Sequence, residues 1–119
     1  AYTASIGPMS QRAQYSTLLL ANTPKVSFDD FVARKVDTTA LMAKRLLPDL
    51  LAAAKGHADP DVTAAAAVLA AWDGRYEADS RGALLFETWA GLFAPNNFTS
   101  QANYAVRWTL DDPLNTPRG

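Results

Sequence analysis

Apolar residues recur at three- and four-residue steps along most of this chain, and Pro, Gly, Ser and Asp divide the recurrence into helices. Over residues 9–21, Met9, Ala13, Leu19 and Leu20 fall at roughly helical intervals, with Pro8 suited to a first turn. After the turn "NTPK", Ser27 fits an N-cap, Asp30 its third position, and Val26 a staple against Phe31, so a second helix is predicted to begin at Phe28. A third is written by Ala40, Ala43, Leu47, Leu50, Leu51 and Ala54, with Lys44, Arg45 and Asp49 off the stripe and Gly56 as its stop. Pro48 removes a donor and crowds the Lys44 carbonyl, which predicts a kink or restart near Leu47.

In "DPDVTAAAAVLAAWDG", Asp59 caps, Pro60 opens the helix, and Val62, Ala65, Leu69 and Trp72 form a stripe ending at Gly74. The run of alanines allows another helix to approach closely. A fifth helix is expected from Asp79 or Ser80, with Leu85, Thr88, Trp89, Leu92 and Phe93 on one side, ending before "APNN". Beyond Pro95 the periodicity weakens, and at most a short helix or strand is expected. The pattern therefore predicts an all-α fold of about five helices in an irregular bundle with an irregular C-terminal tail. It divides into a helical segment, residues 1–95, and an extension of the same domain, residues 96–119. The expected core is Leu47, Leu51, Leu69, Trp72, Leu85, Trp89 and Phe93.

Composition narrows the functional classes. With 119 residues, 49% apolar and 19% charged, the chain has ordinary globular composition, and one domain's worth of it. Eleven basic against twelve acidic residues leave a net charge of -1, without the electrostatic footprint for nucleic acid or an anionic membrane. The absence of cysteine removes disulfides, thiolate nucleophiles and thiolate metal sites. The longest nearly apolar run, residues 64–72, is far short of the ~20 needed to cross a bilayer. Ala1 is not a start methionine and "DPLNTPRG" carries no terminating pattern, so a piece of a longer chain is expected.

Little in the chain announces self-contained chemistry. Its glycines are too far apart for a nucleotide-binding loop. Any metal site or Ser-His-Asp triad would need the single histidine, His57, which sits in the polar break "GHADP" and reads as an exposed loop residue. Asp29/Asp30 and Asp59/Asp61 fall at helix starts, where capping explains them better than acid–base work; Asp111/Asp112 has no such placement. Asn97-Phe98-Thr99 matches the glycosylation acceptor pattern, which chance produces often. Glu87 reads as the solvated side of its helix, and Arg45 beside Lys44 as surface charge rather than an anion clamp.

The order of motifs says more than any one of them. An arginine-bearing helix ("SQRAQ"), a turn with Pro, a helix opening at Ser, a helix containing Leu-Pro, the "WDG" stop and the helix "RGALLFETWAGLF" together resemble the middle of the β chain of the penicillin amidase family of N-terminal nucleophile hydrolases, over about residues 8–94. "DPLNTPRG" is also similar to the branch acting on long or bulky acyl amides. The resemblance implies a parent enzyme with an αββα core, made as a precursor and cleaved into two chains. Its new N-terminal serine would attack a linear amide with its own α-amino group as base and form an acyl-enzyme. A backbone N–H and an asparagine side chain would stabilise the oxyanion. The serine and the asparagine would precede Ala1, so this chain holds no nucleophile or oxyanion residue. Arg12 matches the family's arginine that supports the site from behind the reacting groups, and a guanidinium with several fixed donors is suited to that role. No cofactor is expected in this segment, and any calcium would lie elsewhere in the parent. The expected partners are the remainder of the α and β chains and a small acyl amide, with no nucleic acid and no membrane, and self-association of the isolated segment. A periplasmic or secreted parent is implied. The rival reading is a free-standing helical interaction module whose exposed apolar stripe binds a partner.

Overall fold

The computed structural model describes residues 7–21, 23–97 and 101–118. Five α-helices follow one another among them, α1 Gln11–Leu20, α2 Phe28–Lys35, α3 Leu41–Ala54, α4 Pro60–Ala70 and α5 Arg81–Asn97, and then a 3-10 turn at Gln101–Asn103. There is no sheet among the described residues; isolated antiparallel bridges join Thr39 to Arg75 and Val106 to Arg118. The all-α expectation holds.

Local chemistry sets most of the boundaries. Ser10 caps α1 by accepting from the Ala13 N–H at 3.2 Å, and Ser27 caps α2 by accepting from the Asp30 N–H at 3.1 Å while its hydroxyl donates to the Asp30 carboxylate at 2.6 Å. Asp59 caps α4 through the Asp61 N–H at 2.8 Å, with Pro60 in the first position, where its missing donor costs nothing. The Ser80 hydroxyl accepts from the Ala83 N–H at 3.2 Å as α5 opens. Past α3, Gly56 adopts φ +78, the left-handed conformation that ends helices, and Gly74 does the same at φ +77 in the "WDG" turn.

Three boundaries differ from the periodicity. First, α3 runs through Pro48 without a restart: Pro48 and Lys44 are both exposed, so solvent can take the Lys44 carbonyl that proline leaves unpaired. Second, α4 ends at Ala70, so Trp72 lies beyond the helix and is held in the turn by its indole N–H donating to the Arg75 carbonyl at 2.8 Å. Third, α5 continues past Pro95 to Asn97; near the end of a 17-residue helix the proline removes only the bond to the Gly91 carbonyl.

The core lies between α3, α4 and α5, with α1 against α3. Its buried members are Ala40, Ala43, Leu69, Phe86 and Ala90, surrounded by half-buried Met42, Leu47, Leu50, Leu51, Trp72, Leu85 and Trp89. Phe86, at 0% exposure, is the centre that the apolar stripe did not single out, whereas Phe93 is 39% exposed and belongs to the rim. An aromatic series runs through this region: Tyr76 on Trp72 at 5.9 Å, Trp72 on Phe86 at 5.4 Å, Phe86 on Trp89 at 5.5 Å and Trp89 on Phe93 at 5.0 Å. Helix α2 buries none of its residues, although Phe28, Phe31, Val32 and Val36 form a stripe along it.

Candidate functional site

Most of the residues singled out from the sequence have a definite place. Arg12 stands in the first turn of α1, exposed, its side chain making no hydrogen bond or ion pair to another described residue. It lines an open cleft of about 620 Å³ between α1, α2 and the segment leading into α3, together with Tyr15, Leu19, Arg34, Lys35 and Asp37. His57 is exposed, and its Nδ1 accepts from the Asp59 N–H at 3.2 Å, so it does belong to the loop. Asp59 is a cap, and Asp30 is the third-position partner of the Ser27 cap, as described above. The Ser27 hydroxyl, before any charge effect, holds the Asp30 carboxyl below its ordinary value.

Asp112 is a loop builder. Its carboxylate accepts from Asn115 Nδ2 at 2.7 Å and its carbonyl from the Thr116 hydroxyl at 2.7 Å. Glu87 is exposed, as expected, and accepts from the Tyr76 hydroxyl at 2.9 Å. Burial first and Glu87 second push the Tyr76 phenol up to about 12. Of the Asn97-Phe98-Thr99 pattern, Asn97 ends α5 and Phe98 and Thr99 lie outside the described residues. Among those residues, no group of three or more His, Asp or Glu side chains is gathered to hold a metal ion.

Arg45 requires a correction. It is half-buried, and its guanidinium reaches from α3 to α1 and to the C-terminal loop. Nη1 donates to Gln11 Oε1 at 2.9 Å and to the Pro117 carbonyl at 3.4 Å; Nη2 donates to Gln14 Oε1 at 2.7 Å and to the Leu114 carbonyl at 2.6 Å. Gln14 has 0% exposure, and its Nε2 donates to the Met9 carbonyl at 2.8 Å. The charge lies off the apolar stripe because it faces neutral acceptors that arrive from elsewhere in the chain. Burial draws its pKa down, opposed by Tyr104 and Asp112, yet a guanidinium stays charged throughout the accessible pH range.

A second polar node carried little local signal. Asp37 Oδ1 accepts from the Tyr15 hydroxyl at 2.8 Å and the Thr39 N–H at 2.8 Å, and Oδ2 lies 3.6 Å from Arg75 Nη1. Its carboxyl is lowered from 3.8 to about 2, chiefly by the Thr39 hydroxyl and further by the Thr39 N–H, Tyr15 and Arg75, against the effect of desolvation. Beside it, Arg75 Nε lies 3.5 Å from Glu77, which accepts from the Thr38 hydroxyl at 2.6 Å. The bonds from the Ala40 N–H to the Gly74 carbonyl and from the Tyr76 N–H to the Thr38 carbonyl, both 2.9 Å, tie the "WDGRY" turn to the start of α3. The signal that could have found the node was "DTT", an aspartate two residues before a backbone donor it can accept from. Its long-range partners Tyr15 and Arg75 carried none.

These contacts hold helices and loops in register. The one imidazole is occupied on an exposed loop, and no serine or threonine hydroxyl among the described residues is hydrogen-bonded to it. Arg12 is among the residues lining the open cleft.

Comparison with known proteins agrees with the order of motifs. The family model for penicillin amidase matches residues 1–118. The chain is similar to the acyl-homoserine lactone acylase PvdQ of Pseudomonas putida, 31% identical over 117 residues, which cover 94% of this chain and 14% of that protein. It is equally similar to the acyl-homoserine lactone acylase PvdQ of Pseudomonas savastanoi pv. phaseolicola, 31% identical over 122 residues, covering 94% of this chain and 15% of the relative. The chain thus spans about one-seventh of the length of these curated relatives.

Proposed function

Because the chain belongs to the penicillin amidase family, we propose that it is a helical segment of a larger acylase that hydrolyses the carbon–nitrogen bond of a linear amide. The family match across residues 1–118 is the observation that carries this reading. In the whole enzyme an N-terminal serine outside this chain attacks the amide carbonyl, its own α-amino group takes the proton, and the acyl-enzyme is then hydrolysed. The amine leaves in the first step and the acid in the second. Arg12 orients that site from behind the reacting groups. Its exposure on the cleft and its lack of a partner within the described residues fit a side chain whose partners are supplied by the remainder of the enzyme.

The uncovered apolar stripe of α2, with Phe28 at 79% exposure, is where the remaining acylase chains pack. The substrate class is an N-acyl amide, with acyl-homoserine lactones, named in the relatives, as the first to try. The parent works in the periplasm or outside the cell.

Amide hydrolysis by this chain alone and by the matured full-length precursor, on a panel of phenylacetyl amides, long-chain acyl amides and acyl-homoserine lactones, tests the reading. Activity in the matured precursor alone, abolished when its new N-terminal serine is replaced, is the expected result. Activity in neither, with the chain a stable monomer, would move the assignment to a free-standing interaction module.

A further inference from the structure

From the contacts of Arg45 we infer that it is a positioning residue for Arg12, setting the rotation of α1 about its axis; this rests on the acylase reading and on the role given there to Arg12. Arg45 offers donors in a rigid fork, and two of its nitrogens engage four acceptors: the side-chain amides of Gln11 and Gln14 on α1 and the carbonyls of Leu114 and Pro117 on the loop. Gln14 is itself fixed, since its other amide atom is spent on the Met9 carbonyl just before α1 begins. Lysine has a single nitrogen and cannot reach two amides and two carbonyls spread over α1 and the loop.

At 3.6 residues per turn, Gln11 and Gln14 lie about 60° apart on one face of α1, and Arg12 points about 100° away from Gln11, toward the cleft. One turn after Gln11 and about 40° from it around the axis, Tyr15 adds a second tether, its hydroxyl donating to Asp37 at 2.8 Å. Between them these two tethers remove the freedom of α1 to roll. A guanidinium roughly 8 Å from the helix axis moves by about 3 Å when the helix turns by about 20°. Misplacement by ~1 Å is enough to cost ~10²-fold in rate. A half-buried guanidinium whose hydrogen-bond acceptors are all neutral amides and carbonyls is fixed by the directions of those bonds.

The test is a double-mutant cycle in the matured full-length enzyme, reading kcat and KM for Arg12→Ala, Arg45→Lys and the pair, well below their melting temperatures. Arg45→Lys is expected to lower kcat by about 10–100-fold with KM changed by less than about twofold. In the Arg12→Ala background the same substitution is expected to change kcat by less than about twofold, because the residue it positions is gone. Equal losses in both backgrounds would make Arg45 a purely structural residue and overturn the inference, as would full activity in Arg45→Lys. If Arg45→Lys does not mature, Gln11→Ala carries the cycle: it deletes one acceptor and keeps the rest, with an expected loss of about 3–10-fold that again disappears without Arg12. A wild-type enzyme that cleaves no amide, or an Arg12→Ala enzyme with unchanged kcat, overturns the acylase reading or the role of Arg12, and this inference with it. Additivity in an active, Arg12-sensitive enzyme overturns this inference alone.

Discussion

At the scale of single residues, Gly82 and Trp72 show how a small side chain is specified by a large one. A Cβ built on Gly82 would lie 2.9 Å from Trp72 Cδ1 and closer still to its Cβ and Cγ, so the indole stem occupies the space that any other residue would need. Helix propensity favours alanine over glycine by ~1 kcal/mol, but overpacking against a side-chain stem with no freedom to withdraw costs about 1–3 kcal/mol. The second effect wins, and Gly82→Ala is expected to lower the urea midpoint of unfolding; an unchanged or raised midpoint would show that Trp72 can retreat. Asp37 supplies a pH test. Its carboxyl lies at about 2 in the folded chain against 3.8 ordinarily. A depressed folded value means that its stabilisation is complete above about pH 4 and is lost as the pH falls toward 2. Asp37→Asn should therefore flatten the dependence of melting temperature on pH across that window and leave the dependence above it unchanged. Parallel curves for the two proteins would remove Asp37 from the acid response.

Individual elements explain which features were legible. The starts of α2 and α4 could be read because a cap is made within three residues: Ser27 with Asp30, and Asp59 with Asp61. The inward face of α5 could not, because periodicity gives weight to large residues, whereas the buried side here is Gly82, Ala83, Phe86 and Ala90, small groups that let α4 and the Trp72 turn come close. Arg45 was misread for a reason of range: its acceptors lie 31 to 72 residues away in sequence. Arg12 was found only through the family's order of motifs, since nothing in its local spacing separates it from a solvated helix charge. Helix α2 is the opposite case, its start readable and yet none of its residues buried. Replacing Phe31, 52% exposed, by serine should shift the stability of the isolated chain by no more than about 0.5 kcal/mol, as for an ordinary surface site. In the full-length precursor it should reduce the yield of matured enzyme, because the proposed packing of the other acylase chains on α2 makes the site interior there. A large loss of stability in the isolated chain would mean that α2 is packed within it after all.

For the molecule as a whole, surface is the telling quantity. The chain exposes 8442 Å², roughly a third more than the about 6,300 Å² expected of a compact monomer of its mass. Its radius of gyration, 16.6 Å, exceeds the about 13.5 Å of a compact domain of this length. The excess includes apolar surface along Phe28, Phe31, Val32 and Val36 of α2 and at Leu84 and Leu92 on the outer side of α5. Surface of this kind is costly in water at about 25 cal/mol per Å², and a chain that can cover it by association will do so. The isolated chain should therefore sediment as a concentration-dependent mixture of monomer and larger species and should bind a dye specific for exposed apolar surface. The double substitution Phe28→Ser and Phe31→Ser should shift it to monomer and reduce dye binding, and the same phenylalanines should be protected from solvent-borne covalent labelling once the precursor has matured. A chain that stays monomeric at every concentration, binds no dye and leaves both phenylalanines equally labelled in the mature enzyme would show that these faces are solvated surface, and the packing assigned to the rest of the acylase would have to be sought on the outer side of α5.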